Sequence, residues 1–255
     1  KKTLLIVIDN LTKGGAEIML VGLLSELNTK FSIILVTLND KNHFPVKDVI
    51  CEKKYTLGFN NKISIIPCIF KLKQIINAHN PSLIHSHLFY SSLIARIACP
   101  LNTPLVYTLH NEMSKSVFNN SKAFALLEKL TIKKNNGVIA VSNEVLRDYE
   151  RSIKKNNCSS VLPNYISDIF FNENRVKKDL LNLQKIKLIA VGNVKDQKNY
   201  LYLIQSFNFI KDYNVSIDIY GRGNEKDIQF LKNKVDQNNL PVNFKGPANN
   251  IEEIL

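Results

Sequence analysis

Short runs of apolar, mostly β-branched residues alternate along this chain with longer stretches in which apolar positions recur every three or four residues. Thr3–Ile8, Ser32–Leu38, Ser82–His85, Leu105–Leu109, Gly137–Val141 and Ser160–Leu162 read as buried strands, and a second series follows at Lys187–Val191, Ser216–Tyr220 and Val242–Phe244. Helical periods fill the intervals, as in Ala16–Leu27, Ile65–Ala78, Lys122–Lys133, Glu144–Lys155, Tyr200–Lys211 and Glu225–Gln237. A strand that is apolar at nearly every position is covered on both faces. The alternation therefore predicts an α/β protein whose parallel sheets carry helices on either side.

The alternation pauses between Ile166 and Lys185, where Ser167–Asn174 is polar around a brief aromatic anchor. This divides the chain into residues 1–166 and 167–255. The second series has only three strands and stops at the helix-like Ile251–Leu255, so the second domain is expected to be incomplete. No fixed-period repeat or low-complexity linker interrupts either part.

Composition narrows the class. The chain has 255 residues, 45% of them hydrophobic and 22% charged, which suits a globular core and excludes disorder, collagen and coiled coil. No apolar run approaches the roughly 18 residues of a membrane span, and the first apolar run ends at Asp9, too early for a signal peptide. A cytoplasmic protein is expected, at most peripheral at the inner face of a plasma membrane. The four cysteines form no C-x-x-C pair, which indicates neither a disulfide framework nor a cysteine zinc site.

Charge changes the picture more. Residues 1–166 carry 21 basic and 11 acidic side chains, whereas residues 167–255 carry 13 and 11. A basic first half suits an anionic partner. However, 29 of the 34 basic residues are lysines, and clustered arginines with interleaved aromatics are missing, so nucleic acid is not expected.

Ligands of open parallel sheets bind beyond the carboxyl ends of the strands, so the residues after each run are the candidate chemistry. Gly14 and Gly15, followed by Glu17, form a glycine turn entering a helix; this is either an anion site or a plain turn. His85 and His87, two apart, share one face, but HExxH and cysteine companions are lacking, which favours packing or substrate contact over a metal. His110, Asn111 and Glu112 form a titratable cluster suited to acid–base work or hydroxyl recognition. Ser142 reads as a helix N-cap, and Pro163-Asn164-Tyr165 as a turn. In the second half, Gly192 and Asn193 lead to Lys198 near a helix start, an arrangement suited to a diphosphate. Gly221-Arg222-Gly223 carries only two glycines of a G-x-G-x-x-G and follows a second strand, a poor fit to a nicotinamide fingerprint.

In this order, these stretches resemble the family 4 retaining glycosyltransferases of the GT-B fold. The matching segments are Gly14–Glu17, Ile84–His87, Thr108–Glu112, Ile139–Ser142, Leu162–Asn164, Val191–Asn199, Ile219–Gly223 and Val242–Gly246. The resemblance implies two Rossmann-like domains, an acceptor-side domain at 1–166 and a partial nucleotide-sugar-binding domain at 167–255. It also implies transfer of a sugar with retention, from a nucleotide-sugar donor to a saccharide or lipid-linked acceptor, without metal or other cofactor. Residue by residue, it assigns catalysis to His110 and Lys198. Donor contacts go to Gly14, Gly15, Gly192, Asn193, Lys198, Gly221, Arg222 and Gly223, and acceptor contacts to Glu17, His87, His110, Glu112 and Asn164.

Two departures stand out. Asn193 occupies a position where the family usually has arginine, and the family's Glu-x7-Glu segment is expected beyond Leu255. Two further readings stay open, a non-catalytic GT-B binding module or partner subunit and a sugar-nucleotide epimerase. The helix at Ile65–Ala78, with Lys71 and Lys73 beside Ile69, Phe70 and Leu72, suits either a membrane face presenting a lipid-linked acceptor or an ordinary surface helix.

Overall fold

The computed structural model describes residues 1–119, 121–153, 158–166, 170, 186–210, 213–248 and 251–254, and each of the nine apolar runs forms a strand in it. Most of the expected boundary, the far ends of the helices predicted to 155 and 211, and Leu255 lie outside the described residues. The chain divides into two units, Lys1–Tyr165 and Ile166–Leu255.

In the first unit, strands β1 (Lys2–Ile8), β2 (Phe31–Thr37), β3 (Lys53–Thr56), β4 (Leu83–His87), β5 (Leu105–Leu109), β6 (Asn136–Ala140) and β7 (Ser159–Val161) form one sheet. Its order is β3-β2-β1-β4-β5-β6-β7, and every pair is parallel. Alternate residues feed two cores, as the period of two requires. Leu5, Val7, Ile34 and Val36 enter one cluster, while Leu4, Ile6, Ile33 and Leu35 enter the other. The second cluster is closed by α1 (Gly15–Lys30) through Leu20 and Leu24. The first is closed by α2 (Ile65–His79), α3 (Phe89–Ala98) and α5 (Asn143–Ser152). A further helix, α4 (Lys122–Thr131), rests on α3 and on a π-turn at Ser114–Phe118. Ser142 caps α5 by accepting from the Val145 amide.

β3 and α3 are elements the apolar pattern does not single out. β3 is a four-residue edge strand of sequence Lys-Lys-Tyr-Thr with no buried side chain, so it carries no apolar run. α3 buries seven of its ten residues, so it lacks the polar stripe that marks an amphipathic helix.

The second unit contains β8 (Ile186–Val191), α6 (Tyr200–Phe207), β9 (Val215–Tyr220), α7 (Glu225–Gln237), β10 (Val242–Gly246) and the short α8 (Ile251–Ile254). Its sheet is parallel, ordered β10-β9-β8, and its own core gathers Ile204, Phe207, Ile217, Ile219, Leu231 and Val235. Both sheets are Rossmann-like. Cys51, Cys68 and Cys99 are free thiols.

Candidate functional site

From β1 the first unit's chain winds outward to β2 and β3, then returns past β1 to β4. Adjacent strands β1 and β4 thus send their following helices to opposite faces, and the crevice beyond their carboxyl ends is where such folds bind ligands. Asp9 is the first residue past β1. Its Oδ1 accepts from the amide of Ser91 at 2.9 Å and from its hydroxyl at 2.6 Å, so the end of β1 caps the first turn of α3. Burial pushes the Asp9 carboxyl up to about 6 against the pull of those two bonds, and the nearby Glu17 carboxylate adds to the rise.

Leu88 joins β4 to α3 with φ 70° and ψ 165°, a backbone region essentially reserved for glycine that costs a side-chain-bearing residue about 1–3 kcal/mol. This strained residue sits directly between His87 and the aromatic pair Phe89 and Tyr90. Three histidines stack at the same end of the sheet. The rings of His85 and His87 are 4.2 Å apart and those of His87 and His110 5.5 Å. His85 Nε2 bonds Thr108 Oγ1 at 2.8 Å, and His87 Nδ1 lies 3.2 Å from His110 Nε2.

Burial holds all three neutral. It lowers His110 to about 4 and His85, which also feels His110, to about 4, and it takes His87 well below the ordinary range. His87 Nε2 is buried without a partner among the described residues. An orphaned lone pair is cheaper than an orphaned N–H. That difference selects the tautomer in which His87 Nδ1–H donates to His110 Nε2, leaving the proton of His110 on Nδ1.

These groups border a cavity of about 450 Å³ whose lining includes Asp9, Leu88, His110, Met113 and Asn111. Phe89, Tyr90 and Phe124 form an edge-to-face aromatic cluster along its wall. Beneath it lies a buried polar network. Arg96 is fully buried and pairs with Glu128, while its Nε donates to Thr131 Oγ1 at 3.1 Å. Tyr149 donates to Glu128 at 2.7 Å and bonds Tyr107 at 2.7 Å, and the guanidinium lies 4.9 Å from the centre of the Tyr107 ring. Burial pushes Tyr107 up to about 12.

The second unit offers a different site. The loops after β8 and β9 are knitted together. Val194 N donates to Arg222 O at 2.7 Å, and Arg222 N donates to Asn193 Oδ1 at 3.2 Å. A Cβ built on Gly221 would collide with the Gly192 carbonyl, and one on Gly223 would lie 2.7 Å from Val194 Cβ, so both positions are closed to larger residues. Tyr200 at the start of α6 donates to the Gly192 carbonyl at 2.9 Å. Lys198 is exposed on a 3-10 turn immediately before α6. A shallow depression of about 420 Å³ is lined by Asn193, Lys195, Asp196, Arg222 and Asp227, and Lys198 is not part of that lining.

The sequence candidates are distributed accordingly. His110 lines the first unit's cavity, with His87 buried behind it and bonded to it. Glu17 is buried in the first turn of α1, accepting from Thr12 Oγ1 at 3.3 Å. Gly15 has open space where a Cβ would stand, and Gly14 would meet only the movable Glu17 carboxylate. Glu112 is ion-paired with Lys115 at 2.7 Å at the surface, and Asn164 is exposed; neither lines the cavity. Asn193 spends its side-chain oxygen on the neighbouring loop.

Asp9, Arg96 and Glu128 escape a strand-end reading of the sequence. Asp9 ends the first run and looks like its polar border. The usable signal for Arg96 is a single charge in an otherwise small and apolar helix, which demands a buried partner.

Among the described residues no group of three or more histidine, cysteine or acidic side chains is placed to hold a metal, and no helix is long and apolar enough to cross a membrane.

Residues 13–168 match the model of Glycosyltransferase Family 4. No curated protein matches the chain. Among solved structures, the Anabaena protein HepE in complex with UDP-glucose shares the fold with a TM-score of 0.79 at 17% identity, over 100% of this chain and 71% of that one. WaaG, a glycosyltransferase involved in lipopolysaccharide biosynthesis, aligns with a TM-score of 0.72 at 12% identity, over 98% and 72%. The sucrose-phosphate synthase of Thermosynechococcus elongatus aligns with a TM-score of 0.71 at 14% identity, over 100% and 72%.

Proposed function

The chain belongs to Glycosyltransferase Family 4, and on that premise we propose that it transfers a hexosyl group from a nucleotide-sugar donor to a saccharide or lipid-linked acceptor, with retention. The knitted glycine loops of the second unit carry this reading. Their close backbone approach brings the starts of α6 and α7 together with Lys198 and Arg222, a setting for a diphosphate. As the glycosidic bond breaks, negative charge grows on the departing diphosphate. Lys198 and Arg222 are the groups that neutralise it, in place of a metal or cofactor.

The acceptor belongs to the first unit's cavity. There Asp9 Oδ2 accepts from the reacting hydroxyl, and His110, neutral and protonated on Nδ1, donates to a sugar oxygen. The aromatic wall of Phe89, Tyr90 and Phe124 suits the apolar face of a pyranose or the start of a lipid. HepE holds UDP-glucose and WaaG works in lipopolysaccharide biosynthesis; both support starting with UDP-sugars and with surface-glycan or glycolipid acceptors.

Lys198→Ala should weaken nucleoside diphosphate binding by about 1.5–3 kcal/mol, the worth of one charge-assisted contact, as measured by calorimetric titration. Equal affinity in wild type and variant removes the assignment. One observation favours a second reading, a non-catalytic binding module. Asn193 is committed to the Arg222 amide, so that position supplies no cation to the diphosphate. Asn193→Arg should raise donor affinity if a charge is wanting there, and an unchanged affinity excludes that position as its place.

A further inference from the structure

The buried network beneath the first unit's cavity leaves one group unpaired. Arg96 gives Nη2 to Glu128 and Nε to Thr131 Oγ1, but its Nη1 is buried without a partner among the described residues. A buried N–H is rarely left without an acceptor. Arg96 lines the cavity, and so does Ser92, one turn earlier on the same face of α3. Ser92 Oγ accepts from Ser86 Oγ at 3.1 Å, a bond that does not use its own proton. Two donors are therefore offered on the buried side of the cavity. Glu128 lines it as well; its Oε2 accepts from Arg96 and its Oε1 from Tyr149, and a carboxylate has room for further donors. Apolar surface completes the corner. Met113 and Val117, at the π-turn on which α4 rests, belong to the same lining.

We propose that this corner of the cavity recognises the acetamido group of an N-acetylated hexosamine in the acceptor. The carbonyl oxygen, with two lone pairs and no proton, takes the Arg96 Nη1–H and the Ser92 hydroxyl. The amide N–H is left for Glu128, and the methyl for Met113 and Val117. Charge and polarity set aside the other substituents a sugar could bring. A carboxylate or phosphate drawn to Arg96 would also be drawn against the Glu128 carboxylate, and an ammonium drawn to Glu128 would meet the guanidinium. A plain hydroxyl supplies nothing apolar to Met113 and Val117. The inference deepens the acceptor assignment by naming the class of sugar, and so rests on it.

The experiment is saturation-transfer NMR of the full chain titrated with the methyl glycosides of N-acetylglucosamine, N-acetylgalactosamine, glucose and galactose. At least one N-acetylated glycoside is expected to bind about tenfold more tightly than its plain counterpart, with its acetamido methyl receiving the strongest saturation. Arg96→Lys keeps a cation against Glu128 but has no second nitrogen to offer, and should remove that preference. Exchanging Arg96 and Glu128 together for leucine leaves no buried charge unpaired and should do the same. Ser92→Ala should weaken binding of the N-acetylated glycoside about threefold. In each variant the plain glycoside should still bind, which shows that the first unit stays folded. The proposal is overturned if N-acetylated and plain glycosides bind wild type equally, a result that leaves the acceptor assignment standing. It is also overturned if the preference survives both changes at Arg96. If no glycoside binds, the acceptor assignment falls and this inference falls with it.

Discussion

The two candidate sites of this chain are built from different materials. In the first unit the chemistry lies in side chains drawn out of water. Asp9, His85, His87 and His110 have their titrations displaced by burial, and Arg96 and Glu128 neutralise one another under the cavity. In the second unit the side chains of Lys198 and Arg222 stay exposed, and it is the backbone that is fixed, by glycines with no room for a Cβ. Enclosed, neutralised groups suit discrimination of an uncharged hydroxyl-bearing acceptor. An exposed rim of cations on a rigid backbone suits a diphosphate that must bind and leave. The two candidate sites thus differ in what is held fixed, side chains on one sheet and main chain on the other.

The first site should be disturbed most by Glu128→Ala. This change leaves the Arg96 guanidinium buried and unpaired, and should cost about 3–5 kcal/mol of the first unit's stability in chemical denaturation. Exchanging Arg96 and Glu128 together for leucine should recover most of that loss. Acid acts on the same site through its histidines. With folded-state values of about 4 for His85 and His110 against an ordinary 6.5, the unfolded chain binds more protons between those limits. Stability is then lost as pH falls from 6.5 towards 4. Asp9, raised from 3.8 to about 6, acts in the opposite direction but is one group against three histidines. A net loss of several kcal/mol is expected across the window, read from thermal melts at stepped pH.

Gly221→Ala should cost the second unit about 1–3 kcal/mol, because the added carbon meets main chain that cannot swing aside, and should remove nucleoside diphosphate binding with it. The smallest effect belongs to Gly15→Ala. Nothing stands within 4 Å of the new carbon, so stability without ligand should move by less than about 0.5 kcal/mol. If ligand affinity or turnover falls while stability holds, the open space before Gly15 is where a ligand approaches.

Much of this architecture is legible in the sequence because buried parallel strands write themselves as apolar runs. Leu4–Ile8 and Ile33–Thr37 are buried at every position, and the strands that hold them begin and end within a residue of the runs Thr3–Ile8 and Ser32–Leu38. β3 is not legible in this way, since an edge strand of Lys-Lys-Tyr-Thr buries nothing. The strand-end rule locates His110, Gly192 and Gly221 because each directly follows an apolar run, where the crevice of an open sheet lies. Asp9 directly follows a run as well but reads there as its polar border, because the bond that ties it into the site comes from Ser91, 82 positions away. Arg96 and Glu128 meet across 32 positions, and period alone cannot show such a pairing. The carbonyl contact that closes Gly221 to any side chain is likewise invisible until two loops are placed together.

If Lys198 and the glycine loops hold a diphosphate while His110 serves the acceptor, nucleotide affinity must depend on the first residue and not on the second. Calorimetric titration of wild type, Lys198→Ala and His110→Ala with a panel of nucleoside diphosphates decides the matter. One nucleotide is expected to bind wild type and His110→Ala equally and Lys198→Ala at least tenfold more weakly, the equivalent of about 1.4 kcal/mol. Binding that is indifferent to Lys198, or that fails in His110→Ala with the fold intact, would overturn this division of labour.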